Sequence, residues 1–255
     1  VFCYAHDLGQ TLARYQADNS NLNQVIAMPA TLAFDVYGTL IDTHGLVEQL
    51  QKMVGDKAPA FSQTWRDKQL EYSFRRGLMQ FYADFSVCTH DALNYTCAFH
   101  HTPLSFSQKQ ELMNLYRTLP AFNDVREGLD LLCGADHRLF AFSNGSVEAV
   151  KTLLSAADID SYFLDIISVE ELRSFKPNPA VYNHFLRRSN SCGCNAWLIS
   201  SNPFDVIGAI SAGMRSAWVQ RSDEQVFDPW DIEPTLKVSN LRELEGQLAR
   251  CISNR

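Results

Sequence analysis

The sequence predicts an α/β fold: an open, doubly wound parallel sheet that carries a helical insertion after its first strand. Three observations predict it. Short apolar runs end abruptly in polar or turn-forming residues, as buried parallel strands do. Helical patterns separate the later runs, which is the strand–helix alternation of a doubly wound sheet. Residues 45–120, between the first two runs, hold no strand-like run at all.

The elements follow in order. Leu32-Ala33-Phe34 is the first strand and leads into Asp35 and the turn Tyr37-Gly38-Thr39. Within 45–120, the stretches 62–85 and 107–119 place apolar residues three and four apart, the helical spacing. Pro120 closes this segment. An insertion this long exceeds an ordinary strand-to-helix connection and predicts a second, smaller domain over the sheet. Residues 124–133 make a helix with an acidic start, stopping before Gly134. Leu139–Phe142 is the next strand, ending at Ser143-Asn144-Gly145. Helix 147–157 follows Ser146 as its cap, with Glu148 in the first turn. Strand 164–168 comes next. Pro179–Arg188 begins with proline and ends in two arginines, matching both ends of the helix dipole. Ala196–Ser200 is a strand, 203–212 a helix stopped at Gly213, and 216–219 a strand. The predicted division is a core of 28–44 and 121–255, an inserted helical domain of 45–120, and an N-terminal extension, 1–27, upstream of the core or appended to it.

Composition narrows the function classes. The chain has 255 residues, 46% hydrophobic and 20% charged, with a formal net charge of −7. That is an ordinary globular mix, which argues against disorder and collagen-like or coiled-coil chains. An acidic chain without a Lys/Arg-rich block is a poor partner for nucleic acid or an anionic membrane surface. No apolar run approaches the ~18–20 residues of a membrane span. Residues 1–30 lack a basic start and carry Asp7, Arg14 and Asp18, so no secretory signal is expected. The seven cysteines include no Cys-x-x-Cys pair. Cys192 and Cys194 lack a second ligand pair at zinc spacing, so the thiols read as reduced and the protein as cytoplasmic. The histidines His44, His100 and His101 lack partners at metal spacing. The four tryptophans fall in core-like runs, with Trp230 expected to anchor a loop.

Ligands of an open α/β sheet sit beyond the carboxyl ends of its strands. Collected there are Asp35, Tyr37 and Thr39; Ser143 and Asn144; Lys176; and Ser200, Ser201, Asn202 and Asp205. A carboxylate ending a buried apolar strand is costly unless a cation or donors compensate, and Lys176 is the obvious partner for Asp35. A plain turn cap at Tyr37-Gly38-Thr39 competes as the role of Asp35, but convergence with Lys176 and Asp205 weighs against it.

Asp35-Val36-Tyr37-Gly38-Thr39-Leu40, Ser143-Asn144-Gly145, Lys176-Pro177 and Ser200-Ser201-Asn202-Pro203-Phe204-Asp205 resemble the four motifs of the haloacid dehalogenase superfamily. Within it the chain is most similar to the L-2-haloacid dehalogenases. The stretch Thr64-Trp65-Arg66-Asp67-Lys68-Gln69-Leu70-Glu71-Tyr72-Ser73 resembles the same branch. The resemblance runs from about Met28 to about Leu241 and implies a Rossmann-like core with an inserted helical cap. It also implies a reaction: Asp35 displaces halide from C2 of a small anionic halogenated acid, and water hydrolyses the aspartyl ester to a 2-hydroxy acid of inverted configuration. In that scheme Lys176 keeps Asp35 ionised and Asp205 serves as base or orienter of water. Thr39, Tyr182, Ser200 and Asn202 orient these groups. Ser143 and the backbone near Tyr37 hold the substrate carboxylate. Arg66 and Asn144 receive the halide, although Arg66 could instead hold the carboxylate. Tyr37, Leu70, Phe85 and Phe204 wall the site. From periodicity alone, Arg66 would be a solvated helix residue and Leu70 and Phe85 ordinary core.

The resemblance implies no cofactor and no metal, and a homodimer. Phosphatases of the superfamily carry Asp-x-Asp, but here the second position is Tyr37, and Ser200-Ser201-Asn202 lacks an acidic metal ligand. Asp35 and Asp205 could still offer two carboxylates to Mg²⁺. A Mg²⁺-dependent phosphohydrolase therefore stays open as an alternative, as does a silent binding module on the same fold. Arg66 and Lys176 together are expected to make a positive pocket in an acidic protein.

Overall fold

Six parallel strands form one sheet: β1 (Thr31–Phe34), β2 (Arg138–Ser143), β3 (Asp165–Ser168), β4 (Ala196–Ser200), β5 (Arg215–Val219) and β6 (Leu236–Val238), in the order β3-β2-β1-β4-β5-β6. The computed structural model describes residues 29–253, so the predicted extension 1–27 lies outside the described residues. From β1 the chain adds β2 and β3 on one side and then crosses back to add β4, β5 and β6 on the other, so the crevice at the carboxyl end of β1 is the switch point where such sheets take ligands. The register aligns Phe34 with Ala141 of β2 and Ile199 of β4. Asp35, Ser143 and Ser200 therefore leave the sheet at one edge.

The central strands are apolar because both faces are covered. β1 and β4 are buried throughout. Phe140, Phe142, Tyr182, Phe185 and Leu198 belong to one core cluster beside them. The helices around the sheet are α5 (Val125–Gly134), α6 (Val147–Ala156), α7 (Pro179–Arg188) and α8 (Pro203–Ser211), and α9 (Leu244–Ser253) is the last described element of the chain. Ser146 caps α6, its hydroxyl accepting from the Ala149 N–H. Asn178 caps α7 ahead of Pro179. Gly213, at φ +85°, lets the chain turn after α8.

Between β1 and β2 lie four helices, α1 (His44–Val54), α2 (Ala58–Leu78), α3 (Phe85–Phe99) and α4 (Phe106–Leu115). The predicted helix 62–85 is two helices. α2 stops at Leu78 and the chain turns at Gln80, with φ +54°. Gly77 weakens the last turn, and Met79 and Phe81 continue the apolar spacing yet face solvent, so no burial carries the helix onward. α4 ends four residues before 119, and its start is fixed by a capping box between Ser105 and Gln108. The strand β6 was not expected. It is three residues long and carries a lysine, too short for an apolar pattern. The insertion departs and returns at one place: the Asp42 N–H donates to the Pro120 carbonyl and the Phe122 N–H to the Leu40 carbonyl. Residues Pro29–Gln247 form one compact unit that contains these helices and the sheet. Trp65, Trp197 and Trp218 are buried as expected. Trp230 is 69% exposed and anchors nothing in the core, because its loop lies outside the sheet and its flanking helices.

Candidate active site

Asp35 is the residue after β1, in a position where the strand's last backbone bond, Asp35 N–H to the Ile199 carbonyl, fixes its direction. Its carboxylate is buried and held by four donors, three on one oxygen. Oδ2 accepts from Asn202 Nδ2 (2.7 Å), Thr39 Oγ1 (2.9 Å) and Ser200 Oγ (3.3 Å). Oδ1 accepts from Lys176 Nζ (3.2 Å). Thr39 can serve because Gly38, at φ +80°, folds the chain back over Asp35. Its hydroxyl also accepts from the Ser201 N–H (2.9 Å).

Lys176 is almost fully buried and joins two carboxylates, with Asp205 Oδ2 at 2.8 Å. It also donates to the Phe142 carbonyl (2.9 Å), and its ammonium stands 4.2 Å from the Phe142 ring centre. Burial works to lower the lysine's pKa, but the charges of Asp205 and Asp35 outweigh it and the net shift is upward. The amine is therefore a fixed cation. Asp205, in the first turn of α8, is completely buried; its Oδ1 accepts from Tyr182 Oη (2.7 Å). Burial pushes the Asp205 carboxyl up to about 6, Lys176 opposing and Asp35 adding to the rise. Burial and the Asp205 charge hold Tyr182 well above the usual tyrosine range, so its hydroxyl remains a donor.

Ten of the fourteen predicted residues line one small cavity of about 20 Å³: Asp35, Tyr37, Arg66, Leu70, Phe85, Ser143, Asn144, Lys176, Asn202 and Phe204. Thr39, Ser200, Tyr182 and Asp205 stand behind them, bonded to Asp35 or Asp205. The structure thus brings every predicted site residue together. Arg66 arrives from α2 and reaches Asn202 Oδ1 (3.3 Å). Asn202 starts α8 without capping it, because its side chain is engaged with Asp35 and Arg66. Asn144 accepts from the Lys176 N–H (2.9 Å), which turns its amide nitrogen away from that bond. Ser143 accepts from the Gly145 N–H (3.0 Å). Tyr37, raised by burial, packs on Phe85 and Tyr116, and Phe204 on Phe74. A wider cavity of about 340 Å³ adjoins across Tyr37 and Phe85 and extends to Gln69, Thr89, Tyr116 and Arg117.

The expected positive pocket is corrected in one respect. Lys176 lies between two carboxylates, so its charge is more than offset locally. Among the described residues Arg66 forms no ion pair, and it supplies the uncompensated positive charge. Sequence reasoning also missed three supports. The Phe142 carbonyl carries no sequence signal. Arg221 bonds both oxygens of Asp124 and also the Thr39 carbonyl, from far along the chain. Gln69 did leave a signal: it is a polar residue on the buried stripe Phe61, Trp65, Ser73 of α2.

The family profile of haloacid dehalogenase-like hydrolases matches residues 29–213. An (S)-2-haloacid dehalogenase of Pseudomonas putida is 33% identical over 87% of this chain and 97% of its own. Haloacetate dehalogenase H-2 of Moraxella sp. (strain B) is 35% identical over 74% of this chain and 85% of its own. The L-2-haloacid dehalogenase of Xanthobacter autotrophicus with chloropropionic acid covalently bound superposes with a TM-score of 0.81, at 28% identity, covering 88% of this chain and 99% of that one. With the family profile spanning most of the chain and the site assembled on the expected sheet edge, this protein belongs to the haloacid dehalogenase-like hydrolase family.

Proposed function

We propose that the protein is an (S)-2-haloacid dehalogenase that converts short L-2-haloalkanoic acids to 2-hydroxy acids. The observation that carries this reading is Asp35 itself, a buried carboxylate held by four donors, with its Oδ1 bonded to Lys176 alone. Oδ1 has only Lys176 as a partner, and Asp35 lines the cavity, so this oxygen is the nucleophile in the reading. It attacks C2, the new C–O bond forms as the carbon–halogen bond breaks, and halide leaves with the electron pair. Arg66 and Asn144 face the departing halide; a guanidinium suits this because it remains charged and offers several donors. Ser143 holds the substrate carboxylate. Water then adds to the ester carbonyl of Asp35, Asp205 orients or deprotonates it, and the 2-hydroxy acid departs. Tyr37, Leu70, Phe85 and Phe204 wall the reactive cavity around C2 in this reading.

The donor set supports metal-free chemistry over a Mg²⁺-dependent phosphohydrolase. Lys176 occupies the space between Asp35 and Asp205 that a shared divalent cation would need, and the other carboxylate oxygens are bonded to protein donors. Presence of both Asp35 and Lys176 in working contact argues against a silent binding module. Residues 45–120 act as the cap in this reading. Homodimeric assembly belongs to it through the family resemblance, and a cytoplasmic location through the reading of the cysteines as reduced thiols. Among the described residues no helix is long and apolar enough to cross a membrane.

The test is halide release from L- and D-2-chloropropionate, chloroacetate and fluoroacetate with a chelator present. Turnover of the L-substrate with chelator is expected. A single turnover in heavy-oxygen water should leave label in Asp35, because solvent oxygen enters its carboxylate when the ester is hydrolysed. Loss of turnover on chelation, or an unlabelled Asp35, would reject the reading.

A further inference from the structure

Gln69 has no exposed surface and stands one helical turn beyond Trp65 on α2. Its side-chain oxygen accepts from Arg66 Nη1 (2.8 Å) and its nitrogen donates to Thr89 Oγ1 (2.7 Å). The Thr89 hydroxyl gives its proton to the Phe85 carbonyl (2.9 Å), so toward Gln69 it can only accept. Arg66 can only donate. These two constraints leave one orientation for the amide, oxygen to Arg66 and nitrogen to Thr89. The second partner of Arg66 is the amide oxygen of Asn202. Both acceptors are neutral. A carboxylate in either place would fix the guanidinium as firmly but would cancel its charge.

We propose that Gln69 is a positioning residue that aims Arg66 at the anion in the reactive cavity while leaving its positive charge uncompensated, with Thr89 locking the amide in the required orientation. The inference rests on the dehalogenase reading, in which either the halide or the substrate carboxylate is the anion that Arg66 meets. Lys176 cannot supply that charge, since Asp35 and Asp205 more than offset it. The buried amide on this helix stripe thereby gains a function, because an apolar side chain there would pack as well but would release Arg66 toward solvent or toward a carboxylate.

The test compares Gln69→Glu, Gln69→Met and Thr89→Val with the wild type. Readouts are kcat and KM on L-2-chloropropionate, inhibition by bromide and by unhalogenated propionate, and thermal unfolding. Wild-type turnover comes first; if it is absent, the dehalogenase reading fails and the Gln69 variants are not the cause. With an active wild type, Gln69→Glu is expected to lower kcat/KM by about 30-fold or more, chiefly through KM, and to weaken bromide or propionate inhibition about tenfold. Gln69→Met, which keeps the charge of Arg66 but not its aim, and Thr89→Val should show smaller losses of roughly three- to tenfold, chiefly in kcat. A folded Gln69→Glu protein within about twofold of the wild type in kcat/KM and in both inhibition constants overturns the proposal. If Gln69→Glu does not fold, Gln69→Met and Thr89→Val decide: wild-type kinetics in both overturns it, and the stated losses without a matching fall in melting temperature support it.

Discussion

Lys176 and Asp205 set the acid–base behaviour of the site residue by residue. Asp205 titrates near 6 in the folded protein, above the ~3.9 of an unfolded aspartate. Between those values the native state binds more protons than the unfolded state, so this group's contribution to stability declines as pH rises from ~4 to ~6 and is constant above. The catalytic consequence has the opposite sign, because only the ionised carboxylate can serve water or hold Lys176. kcat/KM should therefore rise about tenfold per pH unit up to about 6 and level off above it. Halide release followed from pH 4.5 to 8 checks this, and a profile flat down to pH 5 would contradict it. At this scale the sequence was legible wherever a side chain ends a strand. Asp35, Ser143 and Ser200 could be placed by counting from apolar runs. Arg66 could not, because a lone arginine on a helix carries no mark of what its far end meets; only the resemblance singled it out.

Helices α7 and α8 make the element-scale case. Gly208 lies inside α8, where alanine ordinarily stabilises a helix by about 1 kcal/mol. Here a Cβ would stand 2.5 Å from Tyr182 Oη and 2.8 Å from Pro177 Cβ. The sign of the substitution therefore reverses. Gly208→Ala should cost about 1–3 kcal/mol in denaturant unfolding. It should also lower kcat by roughly tenfold, because the tyrosine pushed aside is the donor that fixes Asp205. A variant with unchanged kcat and a raised unfolding midpoint would refute that contact. Elements with capping signals, such as α6 and α7, were readable to within a residue or two. The break between α2 and α3 was not, since apolar spacing persists through Met79 and Phe81 although neither is buried. Spacing reports a possible face, and burial decides whether that face is used.

Across the whole molecule, aromatic contacts tie the inserted segment to the loops and helix at the carboxyl edge of the sheet. Phe74 meets Phe204, Tyr37 meets both Phe85 and Tyr116, and Tyr82 stacks on Phe175. Such pairs contribute about 0.5–1.5 kcal/mol each beyond the area they bury. The insertion and sheet are accordingly expected to unfold together: far-UV circular dichroism, dominated by helices, and tryptophan fluorescence, from Trp65 in the insertion and Trp197 and Trp218 in the sheet, should give coincident midpoints. Separated midpoints would mean that the helices melt on their own. The net charge of −7 argues against polyanionic partners, yet it carries no information about a small acid, because binding depends on the local field in the cavity. By itself the sequence determined the parallel sheet, its helical insertion and the set of polar residues at the strand ends, since these follow from local periodicity and from where apolar runs stop. Only the tertiary structure decided which charges cancel. Lys176 is more than offset by two carboxylates 141 and 29 residues away in the chain, whereas Arg66 is held by neutral amides. Charge compensation depends on distances of about 3 Å between groups remote in sequence, and no local pattern encodes them.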